Sequence, residues 1–134
     1  MPAFSFKKEE RLKSRKVIQQ LFSRGHSFSA YPLRLVWMET EEKAGAFPVR
    51  FTQTVGKKKF PKAVARNRIR RQIREAWRLQ KHQLYAELGA VEHKFAFMVI
   101  YTAPENLPSS QIEKGMRKMI FKFINTYQDN PNQK

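Results

Sequence analysis

The chain predicts an α+β fold, a two-layer sandwich in the order α-β-β-β-α-β-α with helices packed on a mainly antiparallel four-stranded sheet. Three observations carry that expectation. Apolar residues recur at helical spacing in three stretches, they alternate or run continuously in four others, and turns rich in Pro, Gly or charge divide the two kinds. At 134 residues the chain is the size of one domain, expected to span residues 1–134 with an ordered core over about 7–127 and a polar C-terminal tail. Hydrophobic residues make up 41%, with eleven Phe, two Trp and four Tyr, which is enough apolar material to offset the entropy of ordering one core.

The first helix is expected in SRKVIQQLFSRG, where Ser14 can cap the start, Val17, Ile18, Leu21 and Phe22 share a face, and Gly25 can end it. Strands follow in HSFSAY and PLRLVWMET, separated by Pro32, the second alternating Leu33, Leu35 and Trp37 with Arg34 and Val36. A turn is expected at 41–45. The stretch AFPVRFTQTVG alternates Phe47, Val49 and Phe51 with Pro48, Arg50 and Thr52, and Pro48 marks an edge. These three runs are expected to pair as an antiparallel meander. KKKFP then leads into a long helix with Pro61 in its first turn, an end near Tyr85 or Leu88, and Gly89 beyond. FAFMVIY at 95–101 is a continuous apolar run and reads as a central strand. Ser110 and Glu113 offer a capping box for a last helix buried through Ile112, Met116, Met119, Ile120, Phe123, Ile124 and Tyr127.

Charge narrows the function. Lys and Arg number 27 against 11 Asp and Glu, a net charge of +16, so a polyanion, and nucleic acid first, is the natural partner. Without cysteine there can be no disulfide, thiolate metal site or thiol nucleophile, which suits a cytoplasmic location. No apolar run approaches the roughly 18 residues of a membrane span, and the N-terminus does not read as a secretory signal.

The charge is concentrated in one helix. Between Lys57 and Arg74 there are nine basic residues and no acidic one, too many for pairing along a helix to explain. At about 100° per residue, Ala65, Ile69, Ile73, Ala76 and Trp77 fall in one arc of roughly 120°. Asn67, Arg68, Arg70, Arg71, Arg74 and Arg78 spread over the rest, with Arg66 at the border. Arginine suits planar, bidentate contacts to phosphate, and the lysines at 57–59 suit point-charge contacts to a backbone. Asn67 can donate and accept at a phosphate, a 2′-hydroxyl or a base edge, or tie the helix start to a neighbouring loop.

Residues for catalysis are scarce. His26, His82 and His93 lack ligand spacing, Glu9 with Glu10 and Glu41 with Glu42 read as solvated, and neither a phosphate loop nor a nucleophile motif is present. No catalytic and no metal-ligating residue is therefore assigned, and no organic cofactor is expected.

RNRIRRQIRE at 66–75 resembles the RNR signature, R-N-R-x-K/R-R-x-x-R-E/Q, of the bacterial ribonuclease P protein subunits. KEERLKSRKVIQQLFSRGHSF and VGKKKFPKAVARNR resemble the flanking patterns of that family, so the likeness covers about residues 7–127. It implies a fold like domain 2 of ribosomal protein S5 and a monomeric protein subunit of an endoribonuclease. That enzyme removes the 5′ leader of precursor tRNA, and its RNA subunit performs the hydrolysis with Mg²⁺ held mainly by the RNA and the substrate. By the same resemblance the catalytic RNA would meet Lys58, Lys59, Arg66, Asn67, Arg68, Arg70, Arg71 and Arg74. The leader of the precursor tRNA would lie in a cleft holding Phe22, Ile18 and Lys57. Ile18 stands where the family commonly has a second Phe, and Tyr101 and Thr102 replace a short residue and a cation at the end of the fourth strand. The alternatives are an RNA-binding protein without enzymatic role, ribosome-associated or general, and, more weakly, a DNA-binding helix.

Overall fold

The computed structural model describes residues 10–40, 48–88 and 94–128. The expected turn at 41–45, together with Phe47, Glu9, Glu41, Glu42, Gly89, His93 and the tail past Gln128, lies outside the described residues. The element order is α1 (Arg15–Arg24), β1 (His26–Ala30), β2 (Leu33–Thr40), β3 (Val49–Thr54), α2 (Ala63–Leu88), β4 (Lys94–Tyr101) and α3 (Ser109–Gln128).

Helix α1 starts and stops for the expected reasons. The Ser14 hydroxyl accepts the Val17 N–H at 3.3 Å, and the Gly25 N–H donates to the Leu21 carbonyl at 2.9 Å. Glycine is required at 25 because a Cβ there would lie 2.5 Å from the Leu21 carbonyl oxygen and 2.8 Å from Val36 Cγ1. Helix α2 begins at Ala63, so Pro61 precedes the helix rather than sitting in its first turn. The turn Lys57–Lys59 intervenes, closed by Phe60 N–H donating to the Gly56 carbonyl at 3.2 Å. The expected capping box does not form either. Ser110 already lies inside α3, and the Pro108 carbonyl accepts the N–H groups of Gln111 (3.0 Å) and Ile112 (3.3 Å).

The sheet is mixed, in the order β1-β2-β4-β3. β1 and β2 pair antiparallel, β2 and β4 pair antiparallel, and β3 pairs with β4 in parallel. The expected meander of the first three strands is thus broken by β4. Its apolar run is buried from Phe95 to Val99 and needs neighbours on both sides, whereas β3 alternates buried Val49 and Phe51 with half-exposed Arg50 and Thr52 and suits an edge. The 26-residue α2 crossover is what lets β3 and β4 run parallel.

Helices α2 and α3 cover one face, where Ile69, Ile73, Trp77 and Phe123 meet Leu35, Trp37, Phe51, Phe95 and Phe97. Helix α1 covers part of the other face, with Val17 and Leu21 on Val36, Met38, Ala96 and Met98. Strands β2 and β4 feed both cores because successive side chains point to opposite faces. Helix α3 approaches the Tyr31–Pro32 turn through Gly115, where a Cβ would stand 2.8 Å from Pro32 Cδ and 3.1 Å from the Tyr31 carbonyl oxygen. Gly115→Ala is therefore expected to destabilise the fold by about 1–3 kcal/mol despite the gain in helix propensity, read as a lower urea midpoint.

The N-terminal segment closes the free edge of β3. Arg11 bridges Phe51, and the Leu12 N–H donates to the Phe51 carbonyl at 2.9 Å. This places Glu10 in the interior, contrary to its reading as a solvated residue. Glu10 is 0% exposed, ion-paired to the buried Lys81 and hydrogen-bonded by the Tyr85 hydroxyl at 2.6 Å. Burial first, and then the Glu10 carboxylate beside it, push the Tyr85 hydroxyl far up, so it stays protonated and donates. Lys81 is the next step of the series Ile69, Ile73, Trp77, so its stem lies along the core while its ammonium finds the carboxylate.

Candidate nucleic-acid interface

The wheel drawn from the sequence is the one the fold uses. Ile69, Ile73, Ala76 and Trp77 are each fully buried, Ala65 packs at the margin of the same core, and Asn67, Arg68 and Arg71 are exposed. Arg70 and Arg74 are half-buried on the flank between these two sets. The lysines at 57–59 are exposed in the turn before α2, with Lys59 Nζ donating to the Thr102 carbonyl at 2.9 Å. The expected basic residues thus follow one another along a single path of turn and helix.

Like Lys59, Arg66 and Arg70 also serve local structure. Arg66 Nη1 donates to the carbonyls of Phe60 (2.9 Å) and Pro61 (2.8 Å), tying the entry loop to the helix. Arg70 Nη1 donates to Asn67 Oδ1 at 3.0 Å, which turns the amide so that its N–H₂ group is the end left over for other contacts. Arg68 and Arg71 carry no such duty that would hold them against the fold, and they stand out into solvent.

A cleft of about 280 Å³ lies between the N-terminal segment and α2, lined by Arg11, Arg71, Arg74, Glu75 and Arg78. Arg11 and Arg78 are additions to the expected set. Arg78 was legible as the next position along the Arg71–Arg74 line, whereas Arg11 arrives only through the pairing of its segment with β3. Glu75 accepts from Arg78 Nη2 at 2.8 Å, and that hydrogen bond, aided by the charges of Arg78 and Arg74, holds its carboxyl below the usual carboxylate range. The ionised acid offsets the charge of Arg78, and with four arginines against one carboxylate the lining stays net positive.

Two of the expected leader residues, Phe22 and Ile18, lie on α1, across the sheet from α2. Phe22 is 69% exposed on α1, and Ile18, one turn earlier, is partly buried against the smaller core. Lys57 lies apart from both, in the turn that follows β3. Beside α1 runs a groove of about 410 Å³ lined by Ser14, Lys16, Val17, Gln20, Arg24, Met38, Glu39 and Thr40. It opens on the flank of α1 that carries Lys16, Gln20 and Arg24, not on the flank of Ile18 and Phe22. Tyr101 and Thr102 are used to close the end of the sheet. The Tyr101 hydroxyl donates to the Glu105 carbonyl at 2.6 Å, and Thr102 Oγ1 donates to the Pro32 carbonyl at 3.0 Å.

Among the described residues, no three His, Cys, Asp or Glu side chains come together in a metal-holding arrangement. His26 packs against Trp37, with ring centroids 4.6 Å apart. No helix among the described residues is long and apolar enough to cross a membrane.

The family model for ribonuclease P matches residues 6–124. The chain belongs to the ribonuclease P protein family. It is similar to the ribonuclease P protein component of Porphyromonas gingivalis, 37% identical over 125 residues that cover 91% of this chain and 88% of the relative. It is also 37% identical over 97 residues to the ribonuclease P protein component of Chlorobaculum tepidum, covering 68% of this chain and 63% of the relative. The fold agrees with solved ribonuclease P proteins. That of Thermotoga maritima superposes with a TM-score of 0.65 at 19% identity over 84% of this chain and 96% of the other. That of Staphylococcus aureus gives 0.63 at 23% identity over 85% and 94%. Three helices on a mixed four-stranded sheet are thus the family's architecture.

Proposed function

We propose that this chain is the protein component of ribonuclease P and binds the enzyme's catalytic RNA through Lys58, Lys59, Arg66, Asn67, Arg68, Arg70, Arg71 and Arg74. The observation that carries the proposal is the two-sidedness of α2. Its apolar side is used up by the core, and its arginine side, with Arg68 and Arg71 exposed, is left for a polyanion in a chain of this family. Arg11 and Arg78 extend the surface to the cleft beside the N-terminal segment. Guanidinium groups there would release counterions from RNA phosphates and hold them bidentately.

The 5′ leader of precursor tRNA is received on the opposite side, at the exposed Phe22 with Ile18 beside it, and Lys57 contributes charge from the end of the sheet. The bond broken is a phosphodiester, and the RNA subunit supplies the site of hydrolysis. Mg²⁺ takes oxygen ligands, and in this reading phosphates of the RNA and the substrate hold most of its coordination sphere. The protein contributes positive charge that lowers repulsion between two RNA chains and so eases Mg²⁺ binding. It acts as a monomer in the cytoplasm.

Arg68→Ala/Arg71→Ala is expected to weaken binding to the cognate catalytic RNA at least about tenfold, since hydrogen bonds between charged groups are worth about 1.5–3 kcal/mol each. Stability should stay within about 0.5 kcal/mol of the parent. Equilibrium binding and thermal melting of the same preparations check both. Unchanged affinity would remove α2 as the docking surface, and preferential retention of ribosomal RNA would favour the non-enzymatic reading.

A further inference from the structure

A second cationic surface lies on α3, away from the arginine side of α2. Lys114, Arg117, Lys118 and Lys122 are all exposed, and at about 100° per residue they share one side of the helix with Phe121, whose ring is 66% exposed. The only acid in α3, Glu113, is half-buried on the flank that meets α2, where Gln80 Nε2 donates to its carbonyl at 3.0 Å. Lys122 leans over the Phe28 ring of β1 at 5.1 Å, so the stripe reaches the β1 edge of the sheet. From Lys114 to Lys122 it runs about 12 Å along the helix.

We propose that this stripe of α3 is a second RNA-binding surface, which takes an unpaired strand with its phosphates on the four cations and one base stacked on Phe121. The proposal goes beyond docking of the catalytic RNA, because it uses no residue of α2 or α1. Charge selects a polyanion, and the ring selects its kind. A flat aromatic side chain standing among cations can stack on an unpaired base, whereas in a duplex the base faces are already occupied. A membrane surface would need the apolar side of the helix, and that side, from Ile112 through Met116 and Met119 to Phe123, is spent on the core. A protein partner would find a single aromatic ring amid like charges, too little apolar area for a stable interface.

The test uses the full chain carrying Arg68→Ala/Arg71→Ala as background, so that α2 contributes little, and a 12-nucleotide oligouridylate with one 2-aminopurine as probe. Phe121→Ala is expected to weaken binding about tenfold and to abolish the quenching of 2-aminopurine, and Phe121→Tyr is expected to restore both. Lys114→Ala/Lys118→Ala/Lys122→Ala should reduce the slope of log affinity against log salt by about 2, at roughly 0.7 for each phosphate no longer neutralised. Unchanged affinity and slope in these variants would overturn the proposal, as would losses confined to anionic vesicles or to a protein ligand. Because the probe needs no catalytic RNA, the result stands whether or not the α2 surface docks that RNA.

Discussion

Lys81→Met is expected to lower the stability of the domain by about 3–5 kcal/mol, a large share of the 5–15 kcal/mol typical of a folded domain. Methionine keeps the length of the stem and loses only the ammonium. Glu10 is then a carboxylate at 0% exposure facing an apolar side chain, with the Tyr85 hydroxyl at 2.6 Å still donating to it. The cost comes from stranding the remaining charge rather than from losing a favourable pair, because taking two ions out of water nearly cancels their attraction. Glu10→Leu/Lys81→Met should accordingly recover most of the loss. Urea unfolding of the parent, both single variants and the double variant checks this, and a Lys81→Met protein within about 1 kcal/mol of the parent would contradict it. The pair also bears on function, since it fixes the segment that carries Arg11 against the arginines of α2.

Trp77→Ala is expected to cost about 3–5 kcal/mol. Trp77 is 0% exposed and lies flat on Phe51, with ring centroids 4.5 Å apart and planes 8° from parallel, while Phe97 and Tyr85 approach it at 5.8 and 6.3 Å. Truncation would open a cavity at the point where α2 meets β3. Trp77→Phe should cost much less, under about 1.5 kcal/mol, because it keeps the stack and removes an indole N–H that has no acceptor among the described residues. Equal losses in the two variants would show that the ring stack is not what secures α2.

The helices and strands were legible wherever one residue face was buried. The α2 series Ile69, Ile73, Trp77 and the β3 alternation of Val49 and Phe51 each specify a period and a buried side, and both sides are the ones observed. Strand order was not legible in the same way. A local pattern marks β3 as half-buried without naming its neighbour, and the meander expectation failed because burial of β4 on both faces outweighs the proximity of β2 and β3 in sequence. Glu10 was misread for a related reason. Its polar neighbours suggest solvent, and the residues that bury it, Lys81 and Tyr85, are more than seventy positions away. In the interface, exposure of Asn67, Arg68 and Arg71 followed from the wheel, but the fold-back of Arg66 onto Phe60 and Pro61 depends on where α2 begins. The motif alone names arginines without saying which of them are spent on the fold.

Removal of the leader from precursor tRNA, followed across a Mg²⁺ titration with the cognate catalytic RNA, tests the central claim most directly. The parent protein is expected to shift the Mg²⁺ requirement of cleavage to lower concentration, and Arg68→Ala/Arg71→Ala protein at the same concentration is expected to restore most of the requirement of RNA alone. Cleavage that needs the same Mg²⁺ with the parent protein as without it would contradict the account.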